Sequence, residues 1–168
     1  MRSIKNISAI SIGIFVVMLF AGSAGSVLAA DNVVHIGCVL DFASFSAPFD
    51  VPAEEGVRLA VDELNASGGM AGKYKVKLSV KDYRGEAGPA IAGTKELLSD
   101  GVDLILGSGS AQASIVVGGL AAKKNVPMIT ITSSGPEIPS AIGPYGFTNT
   151  VTDNRQGTAL AQYAIAQG

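Results

Sequence analysis

From Val33 onward, short runs rich in apolar and β-branched residues alternate with longer stretches in which apolar residues recur every three or four positions. Parallel strands need long crossover connections, and helices supply them, so this alternation predicts a parallel sheet covered by helices. The run "VVHIGCVL", Val33 to Leu40, is apolar almost throughout, as a central strand buried on both faces should be. A loop, "DFASFSAPFD", follows it. The spacing then predicts a helix from Pro52 to Ala66, with Val57, Ala60, Val61 and Leu64 along one face. Glu54 and Glu55 suit the positive end of that helix, and "SGG" at Ser67 to Gly69 is suited to end it.

The next run, "YKVKLSVKD", alternates strictly, with Val76, Leu78 and Val80 inward and Lys75, Lys77, Ser79 and Lys81 outward. Lysines along one face fit an edge strand guarded against pairing with other chains; a basic ligand patch is the weaker alternative. Pro89 is placed to open a helix to Ser99, with Ile91, Thr94 and Leu98 on a shared face. "VDLILG" reads as the third strand, followed by a helix to about Lys124 and a fourth strand, Pro127 to Thr132. The expected fold class is therefore α/β: a Rossmann-like open parallel sheet with helices on both faces.

The residues before this pattern have a different character. Arg2 and Lys5 precede the apolar run Ile7 to Phe20, and small residues follow in "AGSAGSVLAA", so residues 1–30 read as a secretory signal peptide cleaved after Ala29 or Ala30. Ser8, Ser11 and Gly13 interrupt the run, which falls short of the roughly 20 apolar residues of a membrane span. The expected location is periplasmic or extracellular. Without the leader, 138 residues remain with a net charge of −4, enough chain for one domain and the wrong sign for a nucleic-acid partner. The mean hydropathy of +0.39 is inflated by the leader. Cys38 is the single cysteine; inside an apolar run it reads as a small buried hydrophobe with no disulfide partner in the chain. With His35 as the single histidine, neither a metal site nor a Ser-His-Asp triad is expected.

Three loops leave the carboxyl ends of the expected strands: "DFASFSAPFD", "SGSAQAS" and "SSGPEIPS". In an open α/β sheet that edge is where ligands bind. The stretch "DLILGSGSAQAS" resembles a dinucleotide fingerprint in part, but Gln112 stands at the third glycine position after Gly107 and Gly109, and "MITITSSG" has no acidic residue for a ribose. No cofactor is expected. The loops instead offer hydroxyls and amides, Ser108, Ser110 and Ser114 in one and Ser133 and Ser134 in the other, and helix starts of this kind hold carboxylates and phosphates. Serines at such places also cap helices and turns.

The chain resembles the type I periplasmic binding proteins of ABC transporters, specifically the leucine/isoleucine/valine-binding family. The resemblance runs from "HIGCVLDFASFSAPFD" through "GVRLAVDELNASGGMAG" and "DLILGSGSAQAS" to "VPMITITSSGPEI" and "YGFTNTVTDNRQGTALAQYA". It implies a two-lobed, non-catalytic receptor that closes on a small amino acid or related carboxylate and presents it to a membrane permease. Carried over by position, the ligand-binding residues are Phe49, an aromatic ring beside the ligand, then Ser110 and Ala111, then Ser133 and Ser134. Ala111 stands where amino-acid binders often carry a hydroxyl, which leaves two readings: Ser110 or Ser114 substitutes for it, or the ligand is not an α-amino acid.

The resemblance further implies that residues 31–149 form the first lobe, and that residues 150–168 are a hinge crossing and the start of a second lobe missing from the chain. Leu160, Tyr163 and Ala164 would then seek a surface that the chain lacks. The rival readings are a ligand-sensing receptor ectodomain of the same fold, an exported α/β enzyme and a non-functional truncated remnant.

Overall fold

The computed structural model describes residues 32–168, so the expected signal peptide lies outside the described residues. Five strands are formed, β1 (Val33–Leu40), β2 (Lys75–Asp82), β3 (Leu104–Gly107), β4 (Met128–Thr130) and β5 (Gly146–Thr148). All pair in parallel, in the order β2-β1-β3-β4-β5. The helices are α1 (Ala47–Ala66), α2 (Ala87–Ser99), α3 (Ala111–Ala122), α4 (Ile138–Ile142) and α5 (Asp153–Gln167). The lysine-bearing β2 is an edge strand, as its alternation predicts. Both β5 and the short α4 went unanticipated, because three strand residues and five helical ones are too few to show a period.

The step from β1 to β2 runs in one direction across the sheet, and every later step runs in the other. Right-handed crossovers therefore place α1 on one face and α2, α3 and α4 on the opposite face. On that second face α2 packs on α3 and α3 on α4. Their buried side chains, Ala90, Leu97, Val117, Ala121, Ile138 and Ile142, close over Val39, Ile105 and Met128 to make the main core. The α1 face is covered less completely. Registered side by side across it are Cys38, Leu106, Ile129 and Phe147; Cys38 is buried, whereas Phe147 on the edge strand is 49% exposed.

Two helices differ from their sequence pattern. Helix α1 starts at Ala47 rather than Pro52, because the Ser46 carbonyl already accepts the amides of Phe49 (3.0 Å) and Asp50 (2.9 Å), with Pro48 in the opening turn. Of its expected apolar face, Val61 is buried and Leu64 is 38% exposed, since α1 crosses only β1 and β2. Its far end is held by Asn65, whose side-chain amide pairs with both the N–H and the C=O of Val76, each at 2.8 Å. Helix α2 begins at Ala87, and its buried face is Ala90, Gly93, Thr94 and Leu97: the expected Thr94 is buried, whereas Ile91 and Leu98 sit at the margin.

Candidate functional site

The order in which strands are added reverses at β1, with β2 on one side and β3 on the other, so the loops after β1 and β3 lie at a topological switch point, with the loop after β4 beside them. Ladder hydrogen bonds end there. What holds the loops is a set of side chains, two of them aspartates that sequence reasoning had not singled out.

Asp41, 1% exposed, directly follows β1. Its carboxylate accepts the amides of Ala43 (3.1 Å), Ser44 (2.9 Å) and Ser46 (3.0 Å) and the Ser44 hydroxyl, folding the loop into a tight turn. Burial alone would raise its pKa; the Ser44 hydroxyl and the three amides outweigh that and hold it below the ordinary carboxylate value. Asp50, in the first turn of α1, is fully buried. One of its oxygens accepts the Asp41 amide (2.9 Å), and the other accepts the Gly109 amide (2.8 Å) and the Thr132 hydroxyl (2.7 Å). Both lie within the quoted "DFASFSAPFD", where an Asp just after a strand signals an Asx turn. Nothing local in the sequence marks Asp50, whose partners are 9, 59 and 82 residues away.

After β3, buried Ser108 shares a 2.7 Å hydrogen bond with Tyr83 and accepts the Ser110 amide at 3.0 Å. Ser110 caps α3 by accepting the Ala113 amide at 3.3 Å. Ser114 is fully buried and donates to the Ser108 carbonyl at 3.0 Å, so its hydroxyl braces the loop from inside. After β4, the carbonyl of buried Ser133 accepts the hydroxyls of Thr130 (3.3 Å), Thr148 (3.4 Å) and Thr150, while the Ser134 carbonyl accepts the Asp153 amide at 3.0 Å. The loop after β4 is thereby tied to the segment leading into α5.

The six sequence-derived site residues thus divide by accessibility. Phe49 is 56% exposed beside the buried Asp50, and Ser110, Ala111 and Ser134 are half-buried on the loops; Ser114 and Ser133 face inward. A Cβ on Gly135 would lie 3.2 Å from that of Ala111, so the loops after β3 and β4 abut at this point. The first-turn amides of Ala111 and Gln112 have no carbonyl a turn behind them and face the positive end of the α3 dipole. Such a surface can take an anionic group through N–H donors and a hydroxyl, with an aromatic ring alongside.

A narrow cavity of about 140 Å³ lies beside Ser110, between Tyr83, Ala90, Ala113 and Val116. A wider groove of about 570 Å³ runs along Pro136 and the segment from Thr148 to Arg155. Among the described residues, no group of three His, Cys, Asp or Glu is placed to hold a metal ion, and no helix is long and apolar enough to cross a membrane.

The family model described as periplasmic binding protein matches residues 33–168. The chain is 25% identical over 146 residues to the Leu/Ile/Val-binding protein homolog 3 of Brucella melitensis, covering 87% of this chain and 39% of that protein. Among solved structures it is similar to the leucine-binding protein LivK of Thermotoga maritima, with a TM-score of 0.68 and 25% identity over 79% of this chain and 37% of that one. It is likewise similar to the branched-chain amino acid transporter substrate-binding protein LivJ of Streptococcus pneumoniae in complex with isoleucine, with a TM-score of 0.66 and 27% identity over 72% of this chain and 34% of that one. The chain thus spans less than two fifths of the length of these relatives. With its parallel α/β sheet and a match that runs across every described strand and helix, the chain belongs to the periplasmic binding protein family.

Proposed function

We propose that this chain is the first lobe of an exported solute-binding protein that takes up a small amino acid or related carboxylate, without catalysis, for delivery to an ABC permease. The observation that carries the reading is the loop surface itself: loops from three parallel strands are tied together at the carboxyl edge, leaving the α3 first turn, Ser110, Ala111, Ser134 and the ring of Phe49 accessible. The ligand carboxylate would lie at the α3 amides and the apolar side chain against Phe49. The similarity to proteins with bound isoleucine and leucine supports an aliphatic amino acid. On this reading residues 150–168 are the hinge crossing and the first helix of a second lobe, for which exposed Leu160, Tyr163 and Ala164 on α5 form the apolar face. Residues 1–30 would direct export and leave the mature chain in the periplasm or outside the cell.

Calorimetric titration of the chain with L-leucine, L-isoleucine, L-valine and small carboxylates tests this. Saturable, weak binding of an amino acid is expected, weak because a single lobe buries only part of the ligand. Ser134→Ala is expected to cost ~1–2 kcal/mol of that binding, the worth of a hydroxyl bonded to a charged group. Catalytic turnover of any of these compounds, or no binding by any of them, would overturn the proposal.

A further inference from the structure

We infer that Asp50 is a positioning residue of the ligand site, an internal carboxylate that holds the loops after β1, β3 and β4 at one centre. The inference rests on the proposed location of the ligand surface. Asp50 is inaccessible, so it acts on a ligand only through its partners.

Each partner precedes something the ligand would touch. The Asp41 amide, 2.9 Å from one oxygen, belongs to the residue whose own carboxylate folds the turn from Ala43 to Ser46, and that turn leads into α1 and Phe49. The Gly109 amide, 2.8 Å from the other oxygen, lies just ahead of the Ser110 cap, so its direction sets that of the α3 first-turn amides. The Thr132 hydroxyl, 2.7 Å from the same oxygen, lies two residues before Ser134. Gly109 permits the convergence: a Cβ there would stand 3.1 Å from the Thr132 hydroxyl oxygen and 3.4 Å from the Asp50 carboxylate. Phe49, about 100° round the helix from buried Asp50, is 56% exposed, so fixing Asp50 also fixes where the ring stands.

A buried carboxylate with three donors is a stiff fastener: one oxygen holds the Gly109 amide and the Thr132 hydroxyl together, and the other has the Asp41 amide as its partner, so loss of that bond leaves a buried oxygen unpaired. Its expected effect is to reduce the reorganisation that the loops undergo when ligand arrives.

The test compares three variants of the full chain. Asp50→Asn keeps the size and one acceptor oxygen but removes the charge. Thr132→Val removes a single donor and serves if the first variant does not fold. Leu97→Ala, in the core against Gly37, is a destabilised control away from the loops. Two readouts are used: amide hydrogen exchange without ligand, and L-leucine affinity by calorimetry.

The expected result is exchange at Gly109 and Asp41 accelerated roughly tenfold or more in Asp50→Asn, with α2 unchanged. Leucine affinity should fall roughly tenfold in Asp50→Asn and less in Thr132→Val, while Leu97→Ala stays within about twofold of the parent at equal or greater loss of melting temperature. Accelerated exchange with unchanged leucine affinity would overturn the positioning role and leave the proposed function standing. If the parent chain binds no leucine, the proposed function fails for that ligand class and the inference is overturned with it, whatever the exchange at Gly109 and Asp41.

Discussion

Asp41 couples the stability of the site to pH. Its pKa in the fold lies below the unfolded value of 3.8, so its contribution is fully present above that value and is lost as pH falls through the folded one. Titration of Asp41 is expected to leave the melting temperature independent of pH above about pH 5 and to lower it in acid. Asp41→Asn should cost ~1–3 kcal/mol at pH 7, because amides that now meet a carboxylate would lose charge-assisted bonds, and it should flatten the acid limb of the profile. A melting curve series from pH 3 to 7 on parent and variant checks both. Cys38 shows the opposite case. Burial, then the charge of Glu54, pushes its thiol up to about 12 against a smaller opposing effect of Arg58. The thiol should resist a disulfide reagent at pH 8 in the native chain and react only as denaturant unfolds β1; fast labelling under native conditions would show that β1 opens locally.

Helix α3 offers a controlled comparison in its adjacent glycines. A Cβ on Gly118 would collide with the buried side chain of Ile142 on α4, whereas one on Gly119 meets nothing within 4 Å. Gly118→Ala is therefore expected to cost ~1–3 kcal/mol by prising α3 from α4. Gly119→Ala should gain ~0.5–1 kcal/mol by lowering the backbone entropy of the unfolded chain. Chemical denaturation of the two variants side by side separates packing from propensity. The same comparison explains why helix faces were only partly legible beforehand. In α2 the buried stripe contains the expected Thr94, but also Ala90 and Gly93, which a count of large apolar residues skips in favour of Ile91 and Leu98. Close approach to Lys81 on the neighbouring strand selects glycine at position 93.

Taken whole, the chain buries its side chains unevenly. Helix α5 has no buried residue, and Leu160, Tyr163 and Ile165 on it are 65–81% exposed. Ending the chain after Asn154, which keeps the Asp153 amide on Ser134, should change unfolding free energy by no more than ~0.5 kcal/mol while lowering binding of an apolar dye. A large loss of stability would show that α5 packs on the sheet. The apolar row through Leu106, Ile129 and Phe147 should retain dye binding in that shortened chain.

Periodicity and turn residues were enough to establish the α/β class, four of the strands, the lysine-guarded edge and the loops at the carboxyl end. These follow from local pattern, because alternating and helical spacings record which side of each element meets the core. The strand order, the short β5 and the inward commitment of Ser114 and Ser133 depended on long-range packing. So did the role of Asp50: three donors that are remote in sequence meet one carboxylate only after the crossovers have folded, and no local pattern encodes that convergence.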